Sequence, residues 1–462
     1  MTDHLTGRTA PTRRTVVYAV GGLMSAALAL TACSAPGSSS GGQATTPTSD
    51  KITAPVTAQE VAKLGSVTLN VWADQGEQTL LTRVVPAYEK QFPNVKVNVQ
   101  YKSFNDLTAT VVNAMNSSSA PDVAQGNQGW ATDGALVKAR LLRPMDDVAD
   151  AYNWKAAAGA AISQLQWSDD GKTFGSGTLY GMAPDNQMVG IFYNKTKLAK
   201  LGIAAPTSFA DLEAALKKAK DGGEVPIELG NSDKATAMQA FSIVQGAMTK
   251  PAETVAWVTG KSGSTFANAT NTKALDTWST WTKAGYFPKG YDAVSPDDAA
   301  KKFAKGEGVF LFAGNWQAGT VSDGKTFGFM AAPTGDSGSH ASDGSFGLNW
   351  HISNKSKNTP AAIAFVGMIN DPKNAGELVA VNRVPIAADG VTSTDPMFTD
   401  LVTASKEQLS SGGSLYWYDW ATDTMFDTFT AKLQELMAGR TTAADMTAAV
   451  QKDWDTFAAK HK

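Results

Sequence analysis

The order of strand-like and helix-like segments at the start of the globular part is the feature that most limits the fold. Apolar and polar residues alternate over 67–72 and again over 95–101, which predicts two strands. Apolar residues recur at helical spacing over 80–92 and 104–115, and the stretch APDVAQGN predicts a third strand. Strands that alternate with helices at this pitch predict an α/β fold with a parallel sheet.

The rest of the chain continues this pattern. A helix is predicted to begin after Ser208, with Asp211 at the capping-box position, and to end at Gly222 and Gly223. The further predicted strands are 188–193, 308–312, 327–330 and 346–352, and the further predicted helices are 234–249, 272–284, 425–436 and 446–457.

The single cysteine, Cys33, follows a basic segment and an apolar run. The run, residues 16–30, is too short and too rich in alanine to form a stable transmembrane helix, and it is typical of a secretory signal. Leu30-Thr31-Ala32-Cys33 resembles the lipobox of bacterial lipoproteins, whose cysteine receives a diacylglycerol group. This resemblance implies a signal peptide at 1–32 and lipidation at Cys33. An ordinary signal peptide with an incidental cysteine is the alternative.

The Arg13-Arg14 pair leaves the export route open between the twin-arginine and the general secretory pathway. Residues 34–50 are almost wholly Ser, Gly, Thr, Pro, Ala and Gln, a composition that cannot bury apolar surface. We therefore predict a lipidated N-terminus and flexible tether over 33–65. Two acyl chains anchor stably, which places the protein on the extracytoplasmic face of a bacterial cell membrane.

Charge and composition exclude several functions. The net charge is −3, so the chain has no basic face for nucleic acid. One cysteine excludes an intrachain disulfide, and four histidines leave little for a metal site, so neither metal nor cofactor is expected. The roughly 400 residues after the tether predict two or three domains.

Four segments, in this order, resemble the extracellular solute-binding proteins of bacterial ABC importers, in the maltose-binding-like, carbohydrate-uptake branch. VTLNVWADQGEQTLLTRVVPAYEKQFPNVKVNVQY resembles the opening strand–helix–strand of that family. YGMAPDNQMVGIFYNKTKLAKLGIAAPTSFADLEAALKKAK resembles its first crossing between lobes, and KKFAKGEGVFLFAGNWQAG resembles its second. AGRTTAADMTAAVQKDWDTF resembles its terminal helix.

The resemblance implies a periplasmic-binding-protein-like fold with two α/β lobes, several crossing segments and a ligand cleft between the lobes. By position, one lobe covers 66–184 plus 312–370, and the other covers 185–311 plus 371–462. The implied partners are a sugar, the permease subunits of an ABC importer and, through Cys33, the membrane. Two facing lobes of this kind can close by hinge motion.

Strand ends that would face the cleft carry amides, acids and aromatic residues. Amides and carboxylates hydrogen-bond the hydroxyl rims of sugars, while Trp and Tyr stack on their C–H faces. In the family, the positions that match Asp74, Gln187, Trp316 and the loop near Trp417 contact oligosaccharide. Gln187 replaces a carboxylate of some members, which leaves the sugar's identity open. The predicted ligand-binding residues are Asp74, Gln75, Gln125, Asn127, Gln187, Asn231, Asn315, Trp316, Trp350, Trp417, Tyr418 and Trp420.

Other tryptophans have competing interpretations. Trp72 either ends a core strand or faces the ligand. Four more lie among apolar residues at helical spacing and are predicted to be core: Trp257, Trp278, Trp281 and Trp454.

Catalytic motifs are incomplete. Residues 335–339, GDSGS, resemble a protease nucleophile loop, but the only upstream histidine is His4, so we predict a turn. Lys261 and Ser262 resemble the end of a phosphate-binding loop, yet Val255 stands where its first glycine belongs. We therefore predict a binding protein for a sugar or oligosaccharide, not an enzyme. The alternatives are a cell-surface glycoside hydrolase, which needs two carboxylates across the scissile bond, and a binding protein for a peptide or polyamine.

Overall fold

The computed structural model describes residues 51–386 and 391–461. The predicted signal peptide, Cys33 and the first part of the predicted tether lie outside the described residues, and the predictions about them stay predictions. Within those two ranges, no helix has both the length and the apolar character needed to cross a membrane.

The prediction of a flexible tether is wrong for residues 51–65. A short helix forms there, with a capping box between Thr57 and Glu60, and Val61 is fully buried in the adjoining core. The backbone N–H of Ile52 donates to Asp147 at 2.9 Å. The anchoring side chains are single apolar residues among polar ones, so average composition did not show them.

The strands, in chain order, are β1 (Val67–Asp74), β2 (Val95–Lys102), β3 (Val123–Gly126), β4 (Gln166–Trp167), β5 (Thr178–Leu179), β6 (Asp185–Asn194), β7 (Ile227–Glu228), β8 (Phe310–Gly314), β9 (Phe327–Met330), β10 (Ser342–Phe346), β11 (Asn349–Ile352), β12 (Val384–Pro385) and β13 (Ser414–Leu415).

The helices are α1 (Ala58–Ala62), α2 (Gln78–Gln91), α3 (Phe104–Asn116), α4 (Ala135–Lys138), α5 (Asp146–Ala151), α6 (Trp154–Ala158), α7 (Lys195–Leu201), α8 (Phe209–Asp221), α9 (Ala235–Met248), α10 (Pro251–Val258), α11 (Ala269–Lys283), α12 (Pro296–Ala304), α13 (Thr359–Asn370), α14 (Ala375–Val379), α15 (Pro396–Ser410), α16 (Met425–Met437) and α17 (Ala443–Lys460). Short turns of other helix types follow several strands, among them Gln75–Glu77, Trp130–Gly134, Asn315–Gly319 and Tyr418–Trp420.

The first large sheet has the strand order β11-β3-β1-β2. Strands β1, β2 and β3 are parallel, as predicted from the βαβαβ pattern, and β11 pairs with β3 in the opposite direction. Apolar residues of β1 are buried together with those of α2 and α13 in one core. Helix α13 escapes sequence prediction because it is apolar on nearly all sides and so has no readable period.

The second large sheet has β6 at its centre, between β10 and β8, with β13 and β7 outside them. Strands β9 and β12 also pair with β6. The capping box of α8 forms as predicted, since the Ser208 hydroxyl accepts from Asp211 N–H and the Asp211 carboxylate accepts from Ser208 N–H. The two large sheets, with helices packed on them, confirm the predicted two-lobe α/β fold.

Two predictions about the crossings are wrong. The predicted strand 346–352 is two strands in different sheets, β10 and β11, and the chain crosses at Gly347 and Leu348. The segment KKFAKGEGVFLFAGNWQAG does not cross, because β8 lies between β6 and β7 inside the second sheet. Apolar residues recur at every second position through 346–352, so nothing in this alternation marks the change of sheet. Since β8, β9 and β10 all pair within the second sheet, the predicted assignment of residues 312–346 to the first lobe is wrong, and the other lobe limits stay a prediction.

Candidate functional site

In both large sheets, strands end next to the short segment that joins β10 to β11. In the first sheet, β1 and β3 end where β11 begins, because Gly126 pairs with Asn349. In the second sheet, β8 and β10 run antiparallel to β6 and end where it begins, with Ser345 opposite Gln187. Because α/β proteins bind ligands beyond the carboxyl ends of their strands, the candidate site lies between these two edges.

The link between β10 and β11 consists of Gly347 and Leu348. Since consecutive Cα atoms are about 3.8 Å apart, the two strand ends that it joins lie at most about 11 Å apart. Amides that belong to the first sheet hold the link in place. Gln128 Nε2 donates to the Gly347 carbonyl at 2.9 Å, and Gln125 Nε2 donates to the Leu348 carbonyl at 3.4 Å.

A second contact joins the edges through the turn Tyr418–Trp420. Asn127, which follows β3, donates from Nδ2 to Asp419 Oδ2 at 2.7 Å, and its Oδ1 accepts from Trp420 Nε1 at 3.1 Å. Gly129 permits the close approach, because its φ is +87° and a Cβ there would lie 2.4 Å from Trp420 Cα. The turn that follows β13 therefore rests on the loop that follows β3.

Trp316 and Trp417 form an aromatic pair at the edge of the second sheet. Their ring centroids are 5.9 Å apart at an interplanar angle of 43°. Trp316 is 36% exposed, whereas Trp417 is 8% exposed and donates from Nε1 to Ser345 Oγ at 2.7 Å. Trp316 lies over Gly314, where an added Cβ would come within 2.1 Å of the ring. Both residues follow strands of the same sheet, β8 and β13, so they lie on one side of the predicted cleft.

Asp74 and Gln75 follow β1 at the edge of the first sheet. Asp74 N–H donates to Gln125 Oε1 at 2.9 Å, and Asp74 Oδ1 accepts from Gly76 N–H at 2.8 Å. Burial raises the pKa of Asp74 to about 6, with the Glu77 charge adding to the rise. Gln75 is exposed. Asp74 is therefore a half-buried acid fixed at a strand end, as the sequence predicts.

A buried ion-pair cluster, which the sequence did not reveal, lies beside Asp74. Arg383 donates from Nη1 and Nη2 to Glu77 at 2.6 and 2.9 Å. It also donates from Nε and Nη2 to Asp185 at 2.8 Å each. Gln187 hydrogen-bonds Asp185, the first residue of β6. The cluster therefore joins the loop after β1 to the start of β6 and supports Gln187.

Asn315 and Asn231 use their side chains to hold backbone. Asn315 Oδ1 accepts from Met188 N–H at 3.2 Å, and its Nδ2 donates to the Asn186 carbonyl at 3.0 Å. Asn231 Oδ1 accepts from Ala237 N–H at 2.8 Å, while its buried Nδ2 has no hydrogen-bond partner among the described residues. These contacts shape the strand ends of the second sheet.

Three aromatic residues predicted to bind ligand are packed into cores instead. Trp350 is fully buried in the first core, 6.2 Å from Phe365 between ring centroids. Tyr418 stacks on Phe429 at 4.7 Å and donates to Gln245 Oε1 at 2.7 Å. Trp420 is 1% exposed. Closeness in sequence to the site did not reveal on which side of the strand or turn each ring lies.

The other tryptophans agree with the sequence analysis. Trp257, Trp278, Trp281 and Trp454 are all buried, which confirms the core prediction for the four. Trp72 is half-buried at the end of β1, with Lys102 Nζ 4.0 Å from its ring centroid. The GDSGS segment is a turn, as predicted, because Gly338 N–H donates to the Gly335 carbonyl at 3.0 Å.

The arrangement is suited to binding. An exposed tryptophan face, a half-buried carboxyl group and amides converge on the two edges, and these groups hydrogen-bond and stack on a polar ligand. The described residues contain no group of three or more His, Cys, Asp or Glu that could hold a metal ion.

Comparisons with known proteins bear on the family and the fold. An uncharacterised ABC transporter extracellular-binding protein of Pyrococcus horikoshii is 26% identical over 292 residues, and the match spans 60% of each chain. A structure from work on xylan utilisation by Caldanaerobius polysaccharolyticus superposes with a TM-score of 0.73 at 19% identity, covering 83% of this chain and 99% of the other. A chitin oligosaccharide binding protein superposes with a TM-score of 0.73 at 17% identity, covering 85% and 100%.

At these identities the two structures show a common fold and no more. Residues 72–376 match the bacterial extracellular solute-binding protein family, and this stretch runs from the end of β1 past β11, with both sheet edges at the link. The chain belongs to the family of bacterial extracellular solute-binding proteins.

Proposed function

We propose that this protein captures a sugar, most simply an oligosaccharide, between the two sheet edges and delivers it to an ABC importer. The observation that carries the proposal is the position of Trp316, a 36% exposed tryptophan beside the buried Trp417, at the edge that the two-residue link joins to the edge of Asp74. An exposed indole face stacks on the C–H face of a sugar ring, and the Asp74 carboxylate accepts hydrogen bonds from its hydroxyl rim. The chitin-oligosaccharide and xylan-utilisation proteins of the same fold support a carbohydrate ligand.

Delivery and anchoring complete the proposal. A solute-binding protein outside the cytoplasm has to stay near its permease, and lipid on Cys33 holds it at the membrane surface. The lipobox resemblance at 30–33 supports this anchor. Cys33→Ala is expected to release the protein from membranes or to leave an unprocessed precursor, which cell fractionation distinguishes from the wild type.

A thermal-shift screen of mono- to tetrasaccharides tests the function. A ligand that binds only the native state raises the melting temperature as its concentration passes the dissociation constant. Mass spectrometry of the same incubations separates binding from hydrolysis, since intact sugar in a stoichiometric complex supports the binding protein. Turnover of the sugar contradicts it, as does the absence of any shift across the panel.

Two tryptophan variants then locate the site. Trp316→Ala is expected to weaken the best sugar of the screen by about thirtyfold, the loss of about 2 kcal/mol that a binding hot spot carries. Trp454→Ala is the matched control, because Trp454 is 8% exposed and donates from Nε1 to the Trp257 carbonyl at 2.8 Å in the helical core. It should lower stability and leave affinity nearly unchanged. Full affinity in Trp316→Ala places the ligand elsewhere.

A further inference from the structure

Asp343, in the middle of β10, carries a buried carboxyl group without a hydrogen-bond partner. Its side chain is fully buried, and neither Oδ1 nor Oδ2 is hydrogen-bonded to any described residue. Its backbone N–H is satisfied, since it donates to Ser242 Oγ at 2.9 Å. Buried polar groups are almost always paired, so an acid left without any partner points to a group that the chain itself does not supply.

The direction of the Asp343 side chain follows from strand geometry. Residues two apart on a strand face the same side, so Asp343 and Ser345 share a face of β10. Ser345 Oγ accepts from the Trp417 indole, so this face lies toward the residues around the turn Tyr418–Trp420. The unpaired acid therefore lies on the same face of β10 as Ser345 and Trp417, two residues farther from the strand end.

A second acid lies in that turn. Asp419 is 9% exposed, and one of its oxygens accepts from Asn127. Burial raises the pKa of Asp419 to about 6, and burial together with the charge of Asp419 holds the pKa of Asp343 well above its usual range. Neither acid takes part in any ion pair among residues 51–386 and 391–461, and Arg383 is fully engaged by Glu77 and Asp185.

We propose that Asp343 and Asp419 make this site favour a sugar that carries a protonated amino group over the same sugar with a hydroxyl or acetamido group. The proposal deepens and rests on the sugar-binding function proposed above. An ammonium group has three donors and no acceptor, so it hydrogen-bonds to both acids and offsets the repulsion between them. A hydroxyl group offers one donor and no charge.

Matched sugar pairs test the preference by isothermal titration at pH 7. The probes are glucosamine, galactosamine and mannosamine against glucose, galactose and mannose, and the β-1,4-linked disaccharide of glucosamine against cellobiose and the disaccharide of N-acetylglucosamine. In at least one set, the amino sugar is expected to bind about tenfold more tightly or better, an advantage of about 1.4 kcal/mol. Equal or weaker binding of the amino sugar in every set overturns the proposal.

Variants assign the preference to the acids. Asp343→Asn should bring the ratio of the two affinities close to one, and Asp276→Asn, which changes an exposed acid on α11, should leave the ratio unchanged. A preference that survives in a folded Asp343→Asn protein overturns the role of this acid. If that variant does not fold, the comparison of sugars on the wild-type protein still tests whether the site prefers amino sugars. Tight binding of neutral sugars alone overturns the amine preference and leaves the sugar-binding function standing, whereas failure of every sugar overturns both.

Discussion

Replacement of Arg383 by methionine tests whether the buried ion-pair cluster holds the two sheet edges together. Arg383 makes four hydrogen bonds to Glu77 and Asp185, and the side chains of these three residues are 10%, 5% and 3% exposed. Methionine keeps much of the length and apolar surface of the arginine stem and removes the charge. The variant therefore leaves two carboxylates buried close together with no cation between them.

The expected loss follows from this burial. Removal of one partner from a buried ion pair costs about 3–5 kcal/mol, because the remaining charges stay desolvated and unpaired. With an unfolding entropy of about 2.1 cal/mol/K per residue, roughly 400 residues give about 0.8 kcal/mol/K, so a loss of about 4 kcal/mol lowers the melting temperature by about 5 °C. Low pH should reduce this difference in melting temperature between the variant and the wild type. Burial and the Glu77 charge already raise the pKa of Asp185, so acid protonates its carboxylate and removes the unpaired charge.

Differential scanning calorimetry measures this change, and two further variants interpret it. Arg83→Met breaks an Arg–Glu377 pair whose side chains are 48% and 42% exposed, and it is expected to cost less than about 1 kcal/mol. The triple variant Arg383→Met, Glu77→Gln, Asp185→Asn should regain most of the stability, because no unpaired charge remains. The reasoning is refuted if Arg383→Met melts within about 1 °C of the wild type, or if the triple variant is as unstable as the single one.

Two further predictions concern stability. His351 is fully buried, with Nε2 2.9 Å from Asp133 and Nδ1 2.9 Å from the Tyr180 carbonyl. Burial lowers the pKa of His351, but the Asp133 carboxylate and these hydrogen bonds raise it by more, so the pKa lies above its usual value. The stability that protonated His351 contributes is fully present below the unfolded pKa of about 6.5 and is lost as pH rises through the folded pKa. The free energy of unfolding, measured in urea from pH 6 to 9, should therefore decline in the wild type, and this decline should be missing in His351→Gln. Gly129→Ala should destabilise the protein by about 2 kcal/mol or more, through backbone strain and through contact of the new Cβ with Trp420. The control Gly260→Ala, at φ +76° with open space around it, should cost about 1 kcal/mol. Equal losses of stability in chemical denaturation would contradict the contribution of the contact with Trp420.

Local patterns in the sequence were enough for the three parallel strands of the first sheet, β1, β2 and β3, and for the start of α8. The alternation over 67–72 predicts β1 because one face of that strand is buried and the other is not, and the capping pair Ser208 and Asp211 predicts the start of α8. The same rules placed the core tryptophans of α11, since Trp278 and Trp281 lie three residues apart on one buried side.

The parts that could not be predicted depend on contacts between distant segments. Arg383 and Glu77 are 306 residues apart, and nothing near either residue indicates the other. Trp350 and Trp316 both follow polar residues at strand or turn boundaries, yet one is buried and the other exposed, because tertiary packing decides which side of each segment is covered. Asp343 showed no signal, as its burial arises only when α9 and the turn after β13 cover β10.

The two-residue link between β10 and β11 also limits how this molecule can be used as a reporter of its ligand. A connection of this length, held by Gln128 and Gln125, cannot stretch, so a hinge rotation of the kind expected for two such lobes would leave these strand ends together. Fluorophores placed beside Gly347 would sit on the pivot and report almost no change in distance. A sensor built on this chain should carry its dyes at the rims farthest from that pivot, where the same rotation produces the longest arc.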